Sequence, residues 1–171
     1  MAIDERPDLE REAPIVPGRI DWYDESTRLP GPAFWQAVLV AESARCLRYR
    51  RPATLVLARV VGYAELIELW GTGVAAQAVI DVAGVLRAGC RASDHVARLG
   101  DDLVGLLLTE TDEVAAINFL ERVRERSDRV LGARAPGVRI AFGWAGPTRQ
   151  RTLVESVTTA EDVLAREVGS G

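Results

Sequence analysis

Two apolar runs, Val96-Ala97-Arg98-Leu99 and Leu103-Val104-Gly105-Leu106-Leu107-Leu108, are separated only by Gly100-Asp101-Asp102. A Gly/Asp cluster between runs of this kind predicts a β-hairpin, because those residues tolerate the backbone angles of a tight reversal. A hairpin excludes an all-parallel doubly wound sheet. The remaining elements must therefore be fitted around a sheet with at least one antiparallel pair.

The flanking sequence supplies them. Phe34, Trp35, Val38, Leu39, Ala41 and Cys46 recur at helical spacing after Pro30-Gly31-Pro32 and stop ahead of Pro52, whose ring disfavours helix in the residue before it. Thr54 to Ala58 is an apolar run of buried-strand length between Pro52 and Gly62. Residues 63–70 suit a short helix, and Ala75, Val79, Val82 and Leu86 line one face of the next. Asp112 is placed to cap a helix carrying Val114, Ile117, Leu120 and Val123. Val138 to Trp144 reads as a last strand, and Leu153, Val157, Ala160 and Leu164 mark a closing helix. The order α, β, α, α, β, β, α, β, α predicts an α/β (α+β) domain, a central mixed sheet with surrounding helices. Leu55, Val56, Leu106, Leu107, Ile140 and Phe142 are its expected core.

A chain of 171 residues, 48% hydrophobic and 27% charged, suits one such domain. Residues 1–21, with Pro7, Pro14 and Pro17 and no period that could bury a face, are expected to form a flexible lead-in. The domain then occupies 22–168, with 169–171 as a tail. A net charge of -4 provides no basic field for nucleic acid, and no stretch approaches the length of a membrane span. All 21 basic residues are arginine, which excludes chemistry that needs a titrating lysine or a P-loop lysine. Cys46 and Cys90 lack zinc-site spacing and are expected to be core thiols in a reducing cytoplasm. Met1-Ala2-Ile3-Asp4 does not open a signal peptide, so no export is expected.

Several local patterns have plain structural readings. Gly71-Thr72-Gly73 lacks a third glycine, position 76 being alanine, and reads as a turn rather than a phosphate loop. His95, the single histidine, has Ser93 and Asp94 beside it in sequence rather than converging from separate elements, so it reads as a strand-edge residue and not a triad member. Trp22, Trp35, Trp70 and Trp144 lie in four different segments, as core and capping residues do.

The stretch Arg91-Ala92-Ser93-Asp94-His95-Val96-Ala97-Arg98-Leu99-Gly100-Asp101-Asp102-Leu103-Val104 resembles the R-x-S-D-x-x-A-R-L-G-G-D-E-F sequence of GGDEF domains, the diguanylate cyclases that condense two GTP into cyclic di-GMP. Asp24 to Pro30 is similar to that family's D-x-L-T-G-L-P, Tyr63 to Gly71 to its F-K-x-I-N-D-x-Y-G, and Val138 to Trp144 to its V-x-V-S-I-G-V strand. The resemblance covers about residues 22–168 and implies a palm-like nucleotidyl-cyclase fold.

It also implies that the catalytic residues are missing. The family holds magnesium with an aspartate at the end of the first strand and with hairpin acids, since hard cations need anionic oxygens. Here Arg59 and Val61 stand at the D-x-D positions, Asp101 replaces the second glycine and Leu103 replaces the glutamate, leaving Asp102. The family's guanine-recognising asparagine and aspartate align with Ile67 and Ala76, and its phosphate-binding lysine with Ala64. No catalysis, metal or cofactor is therefore expected.

One element of the resemblance is retained: Arg91 and Asp94 match the R-x-x-D site at which many GGDEF domains bind cyclic di-GMP, five residues before the turn. A guanidinium can engage a phosphate or the guanine O6/N7 edge, and a carboxylate can accept from guanine N1 and N2. The competing reading has Asp94 closing a turn and Arg91 on a solvated helix end. Two functions follow, a cyclic di-GMP receptor through Arg91 and Asp94, or a nucleotide-independent module for docking or homodimerisation. Either needs a protein partner that the sequence does not name. On the receptor reading, removing Arg91 or Asp94 should weaken binding and leave stability unchanged.

Overall fold

The structure, a computed structural model, describes residues 23–134 and 137–170. The expected lead-in 1–21 and Trp22 lie outside the described residues. Among the described residues nine elements follow one another: α1 (Pro32–Tyr49), β1 (Ala53–Val61), α2 (Tyr63–Trp70), α3 (Thr72–Gly89), β2 (His95–Arg98), β3 (Leu103–Thr109), α4 (Glu113–Gly132), β4 (Arg139–Ala145) and α5 (Ser156–Gly169). Local chemistry accounts for several boundaries. Pro32 opens α1 where a missing N–H costs nothing, and the Asp112 side chain accepts from Ala115 N at 2.8 Å to cap α4. Gly71, at φ 85, reverses the chain between α2 and α3, so the expected turn is confined to Gly71, with Thr72 and Gly73 already in the first turn of α3.

The strands form one sheet in the order β2-β3-β1-β4, with helices on both faces. Every ladder in it is antiparallel, from Ala53 opposite Thr109 to Arg59 opposite Leu103 between β1 and β3, and likewise for β1 with β4 and β2 with β3. The expectation of mixed strand sense is corrected here. The crossover from β1 through α2 and α3 does return a parallel strand, β2, but β3 lies between the two, and β1 in turn separates β3 from the parallel β4. Parallel connections are present, and no parallel neighbours result.

Both faces are covered, which is why the strands read as continuous apolar runs. Val56, Ala58 and Val60 pack with Leu66, Val79, Leu86, Leu120 and Phe142 on the face under α2, α3 and α4. Leu55 and Leu57 pack with Trp35, Leu39, Ala160 and Leu164 on the face under α1 and α5. The six expected core residues Leu55, Val56, Leu106, Leu107, Ile140 and Phe142 are all fully buried. Burial of each stabilises the fold by roughly 1.5–3 kcal/mol. α5 lies directly on β4 at Gly143, where a Cβ would stand 2.0 Å from the Ala160 carbonyl oxygen, so only a hydrogen fits.

Some boundaries differ from the sequence reading. β1 continues through Arg59-Val60-Val61, beyond the purely apolar run, and α5 begins at Ser156, with the buried Leu153 in the preceding turn. Cys46 is buried as expected, whereas Cys90 is half-buried at the end of α3. Trp35 is buried, and Trp70 is 60% exposed. None of the described helices is long and apolar enough to cross a membrane.

Candidate functional site

The hairpin turn is held by one arginine. Leu99 N and Gly100 N donate to Leu103 O, while Arg98 donates through Nε to Gly100 O at 3.0 Å and through Nη2 to Asp101 O at 3.2 Å. Its Nη1 reaches across to Asp24 Oδ1 at 3.0 Å and Ser26 Oγ at 2.6 Å, strapping the 24–30 loop to the turn. Partial burial pushes the Asp24 carboxyl up, but donation from Thr27, Ser26 and Arg98 outweighs it and holds the group well below the usual carboxylate range. Arg28, where the family pattern has glycine, keeps the left-handed angle of that loop at φ 56.

Beside the turn, Arg59 at the end of β1 stands opposite Leu103, and its Nε lies 3.3 Å from Asp102 Oδ2. This is an ion pair rather than an aligned hydrogen bond, since Arg59 Nε is buried without a hydrogen-bond acceptor. The backbone reinforces the placement, Val60 N donating to Asp102 O at 2.9 Å. The last hairpin carboxylate of the family pattern thus faces a guanidinium, and among the described residues no three His, Cys, Asp or Glu side chains cluster as metal ligands. These residues do not fit the divalent cation that the family implies. Ile67 packs against the core and Ala64 is exposed, so neither presents a polar group to a nucleotide.

At the other end of the hairpin, Arg91 and Asp94 are joined through the backbone. Asp94 Oδ2 accepts from Arg91 N at 2.8 Å, its Oδ1 accepts from Thr109 N at 3.0 Å, and Asp94 N donates to Arg91 O at 3.1 Å. Both carboxylate oxygens therefore close the turn and dock it on the end of β3, so Asp94 has a structural task. The expectation that its removal leaves stability unchanged is corrected on that ground. The Arg91 side chain is exposed and, together with Asp94, contributes to a groove of ≈ 350 Å³ whose lining also includes Arg87, Phe34, His95, Pro30 and Cys90. Phe34 and His95 meet edge to face at 5.9 Å between ring centroids, His95 being the first residue of the edge strand. Desolvation, with Asp94's charge behind it, pushes the Cys90 thiol up to about 12, so it stays protonated at neutral pH.

Sequence reasoning did not assign Arg87, Phe34 or His95 to this groove. Arg98 and Asp24 were legible as parts of motifs, without the contact that joins them.

The family model "Diguanylate cyclase, GGDEF domain" matches residues 21–167. The chain belongs to this family. Among curated relatives, the GGDEF chain is 28% identical over 113 residues to the probable diguanylate cyclase DgcC of Escherichia coli, covering 65% of this chain and 30% of that protein. It is 27% identical over 119 residues to the diguanylate cyclase DosC of the same species, covering 70% of this chain and 26% of that protein. The chain thus spans less than a third of the length of these relatives. Among solved structures, the GGDEF domain of DgcB from Caulobacter crescentus, crystallised in complex with c-di-GMP, superposes with a TM-score of 0.81 at 15% identity, over 88% of this chain and 91% of that one. The diguanylate cyclase SiaD of Pseudomonas aeruginosa, solved with its activator SiaC, gives a TM-score of 0.79 at 25% identity, over 87% of this chain and 58% of that one.

Proposed function

We propose that this GGDEF domain is catalytically silent and acts by binding, as a cyclic di-GMP receptor whose site is the groove at Arg91. The observation that carries the first half is the Arg59–Asp102 pair at 3.3 Å. A guanidinium at the metal position repels a divalent cation and neutralises the carboxylate that would hold it, which removes the charge stabilisation that phosphoryl transfer relies on. The receptor half is supported by the groove itself. Arg87 and Arg91 offer two guanidinium groups to phosphates or guanine edges in a groove that Asp94 and His95 also line.

Two assays test this reading. With GTP and excess Mg²⁺ or Mn²⁺ the protein should make no cyclic di-GMP above background; product formation that disappears in Asp102→Ala would overturn catalytic silence. Calorimetric titration with cyclic di-GMP should show binding that weakens about ten- to a hundredfold in Arg91→Ala, the worth of a charge-assisted contact of roughly 1.5–3 kcal/mol. Arg91→Ala should keep the wild-type melting temperature, because its guanidinium takes no part in the turn. Absence of binding well above micromolar ligand would remove the receptor reading. The second reading, a nucleotide-independent interaction module, would then stand, favoured by the engagement of both Asp94 oxygens with the backbone.

A further inference from the structure

Two exposed surfaces, one at the end of the helix that follows β1 and one where β1 begins, are complementary in charge and in apolar character. The first is the tip of α2. Leu69 is 74% exposed and Trp70 60%, and Glu65 and Glu68 share a helix face with Leu69 at i, i+3 and i+4 spacing. No arginine occurs between Arg59 and Arg87, so the tip is an acidic knob with an indole at its end. The second is a groove of ≈ 650 Å³ where α1 turns into β1 and β4 leaves the sheet. Leu47, Pro52 and Pro147 form apolar wall, Leu47 being 65% exposed, while Arg50, Arg51 and Arg149 stand in the lining, with no carboxylate among the described lining residues. Arg50 holds the left-handed C-cap of α1 at φ 52, a position that favours glycine. A cation is thus kept where the backbone would prefer no side chain.

We propose that the chain associates head to tail with copies of itself, the Leu69–Trp70 tip of one copy seating in the arginine-rimmed groove of the next. Glu65 and Glu68 meet Arg50 and Arg149, neither of which has a carboxylate partner among the described residues, whereas Arg51 already faces Glu110 at 3.4 Å. The indole and leucyl side chains cover Leu47, Pro52 and Pro147, with the arginines placed to lie over the ring. A copy does not satisfy its own groove. Among the described residues, the groove lining includes none from α2. The contact joins two unlike patches and continues head to tail from copy to copy. Neither surface includes Arg91 or Asp94, so the inference is independent of the receptor reading.

Sedimentation velocity over roughly 1 µM to 1 mM protein tests it. The average mass should rise past the dimer at about 0.05 M salt and return to the monomer at about 0.5 M, where surface charges are screened. A groove variant, Arg50→Gly with Arg149→Ser, keeps the backbone that α1 prefers at its end; a tip variant is Glu68→Arg with Trp70→Ala. Each alone should weaken association at least tenfold. Their mixture should restore a dimer and nothing larger, since one copy retains an intact tip and the other an intact groove. A monomer at every concentration, association unchanged by either variant, or a mixture that fails to dimerise would overturn the proposal. So would a wild-type protein that stays monomeric yet binds phosphatidylserine vesicles through Arg50 and Arg149, which would give the groove to a membrane surface.

Discussion

The two ends of the β2–β3 hairpin carry the same kinds of side chain in different employment. At the turn, Asp102 faces Arg59, and Arg98 divides its donors among Asp24, Gly100 and Asp101, so these charges face another charge or a carbonyl. At the open end, Asp94 is turned inward onto two backbone N–H groups while the Arg91 guanidinium stands in solvent beside Arg87. A charged pair in sequence therefore says little about ligand chemistry until its partners are known. Opposite charges that meet one another lose much of their attraction for a third party, and an exposed arginine without a carboxylate keeps it.

Three variants would break or sharpen that contrast. The largest effect is expected at Asp94. Asp94→Ala leaves Arg91 N and the partly buried Thr109 N without their acceptor and should cost about 2–3 kcal/mol, a fall in melting temperature of roughly 4–12 °C. An unchanged melting temperature would return Asp94 to the ligand and erase the difference between the two ends. Asp24→Asn comes next, at about 1–2 kcal/mol near neutral pH, because it weakens the strap to Arg98. The Asp24 carboxyl is held below its ordinary value, so its contribution is complete above about pH 4 and is lost as pH falls further. Denaturant midpoints taken down the acid limb should therefore decline less steeply in Asp24→Asn than in the wild type. The smallest effect belongs to Arg59→Ala, within about 1 kcal/mol by chemical denaturation, since both partners of its ion pair are about a third exposed. A cost as large as that of Asp94→Ala would make the Arg59–Asp102 pair a principal support of the hairpin rather than a replacement at the metal position.

Much of the architecture was legible from local pattern. The hairpin, the cap at Asp112, the turn at Gly71 and the six core residues follow from neighbouring residues or from periodicity, and the structure places them accordingly. The strand sense was not legible, because insertion of β3 between β1 and β2 is a choice of neighbour that no local signal encodes. The candidate site divides along the same line. Arg91 and Asp94 were identified by type and spacing, and Asp94's hold on Thr109 spans fifteen residues and depends on where β3 ends. Phe34 entered the groove from α1, more than fifty residues away in sequence, with nothing in its own surroundings to mark it.

The sequence by itself determined that the apolar runs of the strands are buried, where the hairpin reverses, and that arginine, valine and leucine occupy the positions where the family resemblance calls for metal-binding carboxylates. These are properties of side-chain type and period, which every short stretch carries with it. Only the tertiary structure decided that Arg59 meets Asp102, that Asp94 is occupied by the backbone while the Arg91 side chain is not, and that Arg50 and Arg149 line one groove. Partnership between charges depends on distance to a few ångströms, and those distances are set by packing among elements remote in sequence.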